Sequence, residues 1–302
     1  MQYSAALAFA SLFFGMGIAF LLDKTDQRLR TPDDITKRIR IPVIGTTTSL
    51  NHIKPALIPN QIAGEYQTIR ANLGLLNKNE MPQMLVVTSP CAREGKTTFA
   101  INLATSIAKA GKKVLLIDGD LRKPDIASLL KLPKDVNGIQ DALLGIESDK
   151  AIYSISSTGL NVLSSHSCYG SDAYELIASP MAAKQISKFS KSYDYIIIDT
   201  PPVMAFPDAL IWARIAGTVV LISSAGQTTS IAMREAIDRL TQKDIKILGA
   251  VIGNVHASYS FYRPYYSYHA HNHRTRRKIN RARMNLLFLN QSPEENNKNT
   301  NS

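Results

Sequence analysis

The stretch "MLVVTSPCAREGKTTFAINLATSIAKAG", residues 84–111, constrains the fold of this chain more than any other. Its opening run, "MLVVTS", is short and apolar with two adjacent valines, so it reads as a buried strand. The stretch "KTTFAINLATSIAKAG" that follows has helical spacing and stops at Gly111. Between them stand Gly95, Lys96 and Thr97. Strand, loop and helix in that order form the context a phosphate-binding P-loop requires. The backbone of Arg93, Glu94, Gly95, Lys96, Thr97 and Thr98 would cradle phosphate oxygens, helped by the positive end of the helix dipole. Lys96 would reach the outer phosphates, and the Thr97 hydroxyl would hold Mg²⁺. The full pattern has glycine five residues before Gly95, where this chain has Pro90. A bare G-K-T is also compatible with an ordinary helix start.

The alternation of strand and helix continues downstream. "KVLLID" (113–118), "LNVLSS" (160–165), "YDYIIIDT" (193–200), "TVVLISS" (218–224) and "IKILGAVIGN" (245–254) all read as strands. "IAGEYQTIRANLGLL" (62–76) has helical spacing, and "TTSIAMREAIDRLTQK" (228–243) reads as a helix opened by a Thr/Ser cap. Continuous apolar strands separated by helices predict an α/β fold: a doubly wound, mainly parallel sheet covered on both faces. Ligands of such sheets bind outside the carboxyl ends of the strands. Asp118 and Asp120 close one strand and Asp199 another, so all three are expected beside the P-loop. A single Asp at a strand end is an ordinary turn former. Three of them beside G-K-T-T point to a nucleotide and its metal.

The flanks carry different messages. Residues 3–22, "YSAALAFASLFFGMGIAFLL", hold no charge over 20 positions, enough to cross a bilayer core of ~30 Å. No basic region precedes them, as a signal peptide requires. Lys24, Arg28, Arg30, Lys37, Arg38 and Arg40 follow, which places the downstream side in the cytoplasm. Residues 1–22 are thus expected to be a transmembrane helix. Residues 23–60, with Pro32, Pro42, Pro55 and Pro59, read as a juxtamembrane connector, and 61–258 as the P-loop domain. Residues 259–302 read as a tail that is tyrosine-rich, then basic and disordered. Five of the twelve tyrosines fall within residues 259–268. Of the net charge of +11, the last forty residues supply +6, from eight Lys/Arg against two Glu. Such a run is a solvated tail or a contact for anionic lipid. No nucleic-acid reader motif accompanies it. Cys91 and Cys168 are far apart and match no metal-ligand spacing.

The combination resembles the bacterial tyrosine kinases of the polysaccharide co-polymerase type, P-loop proteins akin to the septum-site and partitioning ATPases. "REGKTT" is similar to their Walker A, "LLIDGDLR" to Walker A′ and "IIIDTPP" to Walker B. The D-x-D-x-R element is the most specific of the three. At the position of the partitioning ATPases' signature lysine stands Cys91. The resemblance implies transfer of phosphate from ATP, with Mg²⁺, to tyrosine hydroxyls of another copy. The acceptors would be Tyr259, Tyr262, Tyr265, Tyr266 and Tyr268. It gives catalytic roles to Lys96, Asp118, Asp120, Arg122 and Asp199, with Asp118 as base and Thr97, Asp120 and Asp199 around the metal. Implied partners are further copies, the polysaccharide co-polymerase and export machinery, a tyrosine phosphatase and the membrane.

Three departures stand beside it. The family's E-x-x-R-x-x-R helix reads Gly64, Gln67 and Arg70 here, with Glu65 adjacent. The last core strand ends Gly253-Asn254 where relatives often have Asn in the first of these positions. The chain also starts at what resembles the second membrane helix of a co-polymerase. The competing reading from another class is a membrane-associated P-loop ATPase that positions a partner without phosphorylating it.

Overall fold

The computed structural model describes residues 11, 13–18, 25–48, 60–78, 80–133, 138–145, 151–167, 172–241 and 245–255. Among the described residues no helix is long and apolar enough to cross a membrane. Most of the span expected at 3–22 lies outside them, as do residues 256–302, which include the whole tail expected at 259–302.

The chain enters the fold through a helical turn over residues 32–39, capped by Thr31, whose Oγ1 accepts the Asp34 N–H. Strand β1 (Val43–Thr48) and helix α1 (Asn60–Leu76) follow, then β2 (Met84–Thr88), α2 (Lys96–Ala108) and β3 (Val114–Asp118). Short helices α3 (Ile126–Leu130) and α4 (Ile139–Leu143) lead to β4 (Ile152–Ile155) and β5 (Leu160–Leu163). Next come α5 (Asp172–Ala178), α6 (Pro180–Ser190), β6 (Tyr195–Asp199), α7 (Asp208–Ala216) and β7 (Thr218–Ser224). Helix α8 (Ser230–Thr241) and β8 (Lys246–Val255) complete the described fold.

The eight strands form one sheet in the order β1-β8-β7-β2-β6-β3-β5-β4. All neighbouring pairs are parallel except β4 with β5. Alternate residues along each strand feed opposite apolar layers: Leu85 and Val87 join α1 and α2 on one face, Val86 the helices of the other. Ile196 and Ile198 likewise part from Ile197. A strand buried on both faces must be apolar at every position, which is why these strands read as continuous runs.

All six strands expected from the sequence are present. Two more are not what the sequence suggested. Residues 43–48 fall in the stretch expected to be a connector, yet β1 pairs with β8 and buries Ile44 completely. Strand β4 forms the opposite edge, antiparallel and only partly buried.

Candidate active site

Topology brings three strand ends together. The chain leaves β2 through the phosphate loop and α2, and returns as β3 two places along the sheet. Strand β6, later in sequence, lies between them. Val87 near the end of β2, Asp199 at the end of β6 and Asp118 at the end of β3 are register partners across the three strands.

The phosphate loop turns through two left-handed residues, Arg93 (φ 63°) and Gly95 (φ 86°). Glycine takes that conformation without strain, which suits Gly95 as the residue that launches α2. No side chain caps α2, so its first N–H groups are left for an anion. Lys96, at the first position of α2, is nearly buried, and its charge acts on Asp199, Asp120 and Glu94.

Burial pushes the Asp199 carboxyl up to about 7, against the opposing pull of Lys96 and a hydrogen bond from the Thr97 hydroxyl. Asp118 is pushed well above the carboxylate range, first by burial and then by the neighbouring Asp199. Its Oδ2 accepts the Ile126 N–H at 3.1 Å. Oδ1 of Asp118 and Oδ1 of Asp199 are buried with no hydrogen-bond partner. Two such orphaned oxygens are costly in a folded protein and mark a place where a proton or cation is expected. Asp120 is raised by burial, with Lys96 pulling the other way, and its Oδ1 accepts the Lys123 N–H at 3.0 Å.

The residue between the two acids is glycine for a packing reason. Gly119 donates to the Asp199 carbonyl at 2.8 Å and accepts from the Trp212 indole at 3.0 Å. A Cβ there would sit 2.7 Å from that same carbonyl oxygen. Trp212 is fully buried and is the one tryptophan of the chain.

The side chain of Arg122 is committed to Asp208, with Nε at 2.7 Å from Oδ2 and a second contact of 3.2 Å to Oδ1. It also stacks over Phe206, 4.4 Å from the ring centroid. Asp208 is buried at the first position of α7. The sequence reading missed it. Its only signal was an Asp after Pro207 at a helix start, where an acid is expected anyway. Glu94, expected around the nucleotide through its backbone, turns its side chain into the interior.

On the helix where the resembled family has E-x-x-R-x-x-R, Glu65 and Arg70 are engaged within the chain. Glu65 accepts from the Thr48 hydroxyl at 2.8 Å, and Arg70 donates to the Ser106 carbonyl at 2.8 Å. Asn254, after Gly253, is left-handed (φ 58°) and donates to the Ser224 hydroxyl at 3.0 Å. The five tail tyrosines lie outside the described residues.

Fold and site together define a P-loop NTPase. The family described as "ParA: NUBPL iron-transfer P-loop NTPase" matches residues 80–293. Tyrosine-protein kinase YwqD of Bacillus subtilis (strain 168) is 35% identical over 203 residues, covering 66% of this chain and 85% of that protein. The Staphylococcus aureus protein named putative tyrosine-protein kinase CapB is 33% identical over 220 residues, covering 70% of this chain and 92% of that one. Among solved structures, the chimerical protein CapA2B2 superposes with a TM-score of 0.67 at 29% identity, over 74% of this chain and 99% of that one. The chain belongs to the bacterial tyrosine-protein kinases, which are built on the ParA-like P-loop fold. It is a protein-tyrosine kinase.

Proposed function

We propose that this kinase is anchored in the bacterial inner membrane and uses ATP and Mg²⁺ to phosphorylate its own C-terminal tyrosines in trans. The regulated process would be polymerisation or export of an exopolysaccharide or capsule. One observation carries the site reading: two buried, partnerless carboxylate oxygens, on Asp118 and Asp199, beside a phosphate loop whose Lys96 acts on Asp199.

The donors fit the metal. Among the described residues no group of three His, Cys, Asp or Glu is arranged to hold a metal by itself. Mg²⁺ does not need such a cage: it binds through one or two carboxylates, substrate phosphates and retained waters. Thr97, Asp120 and Asp199 would hold it, and when bound it neutralises charge on the phosphates. The amides at the start of α2 and Lys96 would orient the nucleotide for in-line transfer. Asp118 would accept the phenolic proton as the tyrosine oxygen takes the phosphoryl group and ADP leaves. Its raised proton affinity suits a base. Arg122, held by Asp208 and Phe206, would brace the loop that carries Asp120. The acceptors would be Tyr259, Tyr262, Tyr265, Tyr266 and Tyr268, in a tail of residues 259–302. Residues 1–22 would be the anchor and 61–258 the kinase domain, to which β1 contributes an edge strand. Co-polymerase and export proteins, a tyrosine phosphatase and further copies are the partners the family likeness suggests.

Purified full-length chain should gain phosphotyrosine when Mg-ATP is added, and the Lys96→Met variant should lose at least about a hundredfold of that rate. Lys96→Met should keep the thermal midpoint within a few degrees, since the lysine serves phosphate rather than core. Undiminished phosphorylation in the variant would remove Lys96 from the site. ATP hydrolysis without phosphotyrosine would favour the partner-positioning ATPase.

A further inference from the structure

The hydroxyl cluster at the start of α8, Thr228 to Ser230, divides its work three ways. Thr229 caps the helix, its Oγ1 accepting the Ala232 N–H at 3.2 Å. Ser230 turns to the N-terminal segment and donates to Gln27 Oε1 at 2.7 Å. Thr228 turns into the phosphate loop. Its hydroxyl accepts the Ser224 N–H at 2.8 Å and donates to Oε1 of Glu94, 134 residues away in sequence. The other carboxylate oxygen of Glu94 accepts the Cys91 N–H at 2.8 Å. Glu94 and Thr228 are both 1% exposed. One buried carboxylate therefore ties the phosphate loop to itself at Cys91 and to the chain after β7 at Thr228.

We propose that Glu94 and Thr228 are positioning residues that clamp the phosphate loop in its nucleotide-ready form, a role that rests on the P-loop reading above. Three physical points carry it. First, Arg93 is a left-handed residue with a side chain, a conformation that persists only where surrounding contacts over-determine it. The contacts of the adjacent Glu94 with the Cys91 N–H and the Thr228 hydroxyl, joined by the Ser89 side chain, supply that. Second, the loop has Pro90 where the full pattern has glycine, so it draws on a side-chain tether as well as backbone turns. Third, a carboxylate one residue before Gly95 would repel phosphate if free to swing outward. The Thr228 hydroxyl keeps it on the interior side. Neither residue touches the reacting atoms, so the effect should appear in nucleotide binding before it appears in chemistry.

Removing the Thr228 hydroxyl strands a buried carboxylate oxygen and the Ser224 N–H. In the full-length chain, Thr228→Val should weaken Mg-ADP binding by roughly tenfold, read by titration calorimetry. The KM for ATP should rise by a similar factor with kcat changed less. Thr228→Ser keeps the hydroxyl and should restore both. Hydrogen exchange at the Cys91 amide should quicken in the valine variant and not in the serine one. If Thr228→Val lowers the urea midpoint but binds Mg-ADP like the unaltered chain, the residue is structural only and the clamp is wrong. Should that variant fail to fold, Glu94→Ala supplies the same reading. It removes the contacts to both the Cys91 N–H and the Thr228 hydroxyl, and unweakened Mg-ADP binding there overturns the proposal. Failure of the unaltered chain to bind Mg-ADP overturns the P-loop reading itself, and the clamp with it.

Discussion

Asp199 is fully buried next to Asp118, with Lys96 as its opposing charge, and its proton affinity sits near the middle of the physiological range. In the metal-free chain the folded-state value of about 7 lies above the ordinary 3.8. The folded state therefore holds this proton more tightly than the unfolded state does. The stability it contributes is complete below the ordinary value and is lost as pH rises through about 7. Asp199→Asn removes a buried charge that is costly at pH 8 and already neutral at pH 5. That substitution should stabilise the metal-free chain at both pH values, by roughly 2 kcal/mol more at pH 8 than at pH 5, because the unfolded Asp is already ionised at both. It should also weaken Mg-ADP binding, a loss of function in exchange for stability. Thermal melts at the two pH values check the sign. A midpoint that falls equally at both would mean that Asp199 is ionised and well paired without metal.

At the scale of elements, the acids depend on how closely β3, β6 and α7 approach. Gly119 is the point of contact, touching the Asp199 carbonyl and the Trp212 indole together. Gly119→Ala places a methyl group 2.7 Å from backbone, where nothing flexible can yield. The expected cost is roughly 1–3 kcal/mol from overpacking. The variant's fluorescence should also shift, because the one tryptophan donates to this residue. An unchanged urea midpoint would mean that β3 and α7 are looser than their contacts indicate. The edges of the sheet explain what the sequence concealed. "VIGTTT" has a glycine and three threonines, and its burial comes from lying against β8 and beneath α1. "IYSI" is a four-residue edge strand, partly buried on both faces, too short for its pattern to stand out from a loop.

Taken whole, the molecule is predicted to act on its neighbour. A Lys96→Met chain with intact tyrosines, mixed with an active chain whose five tail tyrosines are Phe, should gain tail phosphate detectable by mass spectrometry. Each phosphate brings about −1.5 to −2 charges at neutral pH. Two of them, about −3 to −4, would offset at least half of the +6 of the last forty residues, and four, about −6 to −8, would cancel or reverse it. Phosphorylation should then loosen oligomers and anionic-lipid contacts, with residues 274–283 as the sensor. No tail phosphate on the inactive chain would rule out transfer in trans. Phosphate without a change in oligomer size or vesicle binding would rule out the charge switch alone. The uncharged stretch at residues 3–22 makes a separate prediction: the full chain fractionates with membranes, and residues 23–302 alone do not. Recovery of the intact full chain in the soluble fraction would remove the anchor.

The chemistry of this kinase is written locally, and so the sequence by itself determined it. A strand, G-K-T-T and a helix, with acids closing two further strands, identify a phosphate site because each signal spans only a few residues. Six buried strands were legible for the same reason: apolar residues at every position need no partner to be recognised. What only the tertiary structure decided is every relation between distant residues. Asp199 reaches the site because β6 inserts between β2 and β3. Arg122 meets Asp208 86 positions away, and Glu94 meets Thr228 134 positions away. These pairings leave no periodic trace, since one hydrogen bond between remote segments constrains a single residue on each. Burial is what makes such a bond costly to leave unmade, and burial exists only once the sheet has closed over these groups.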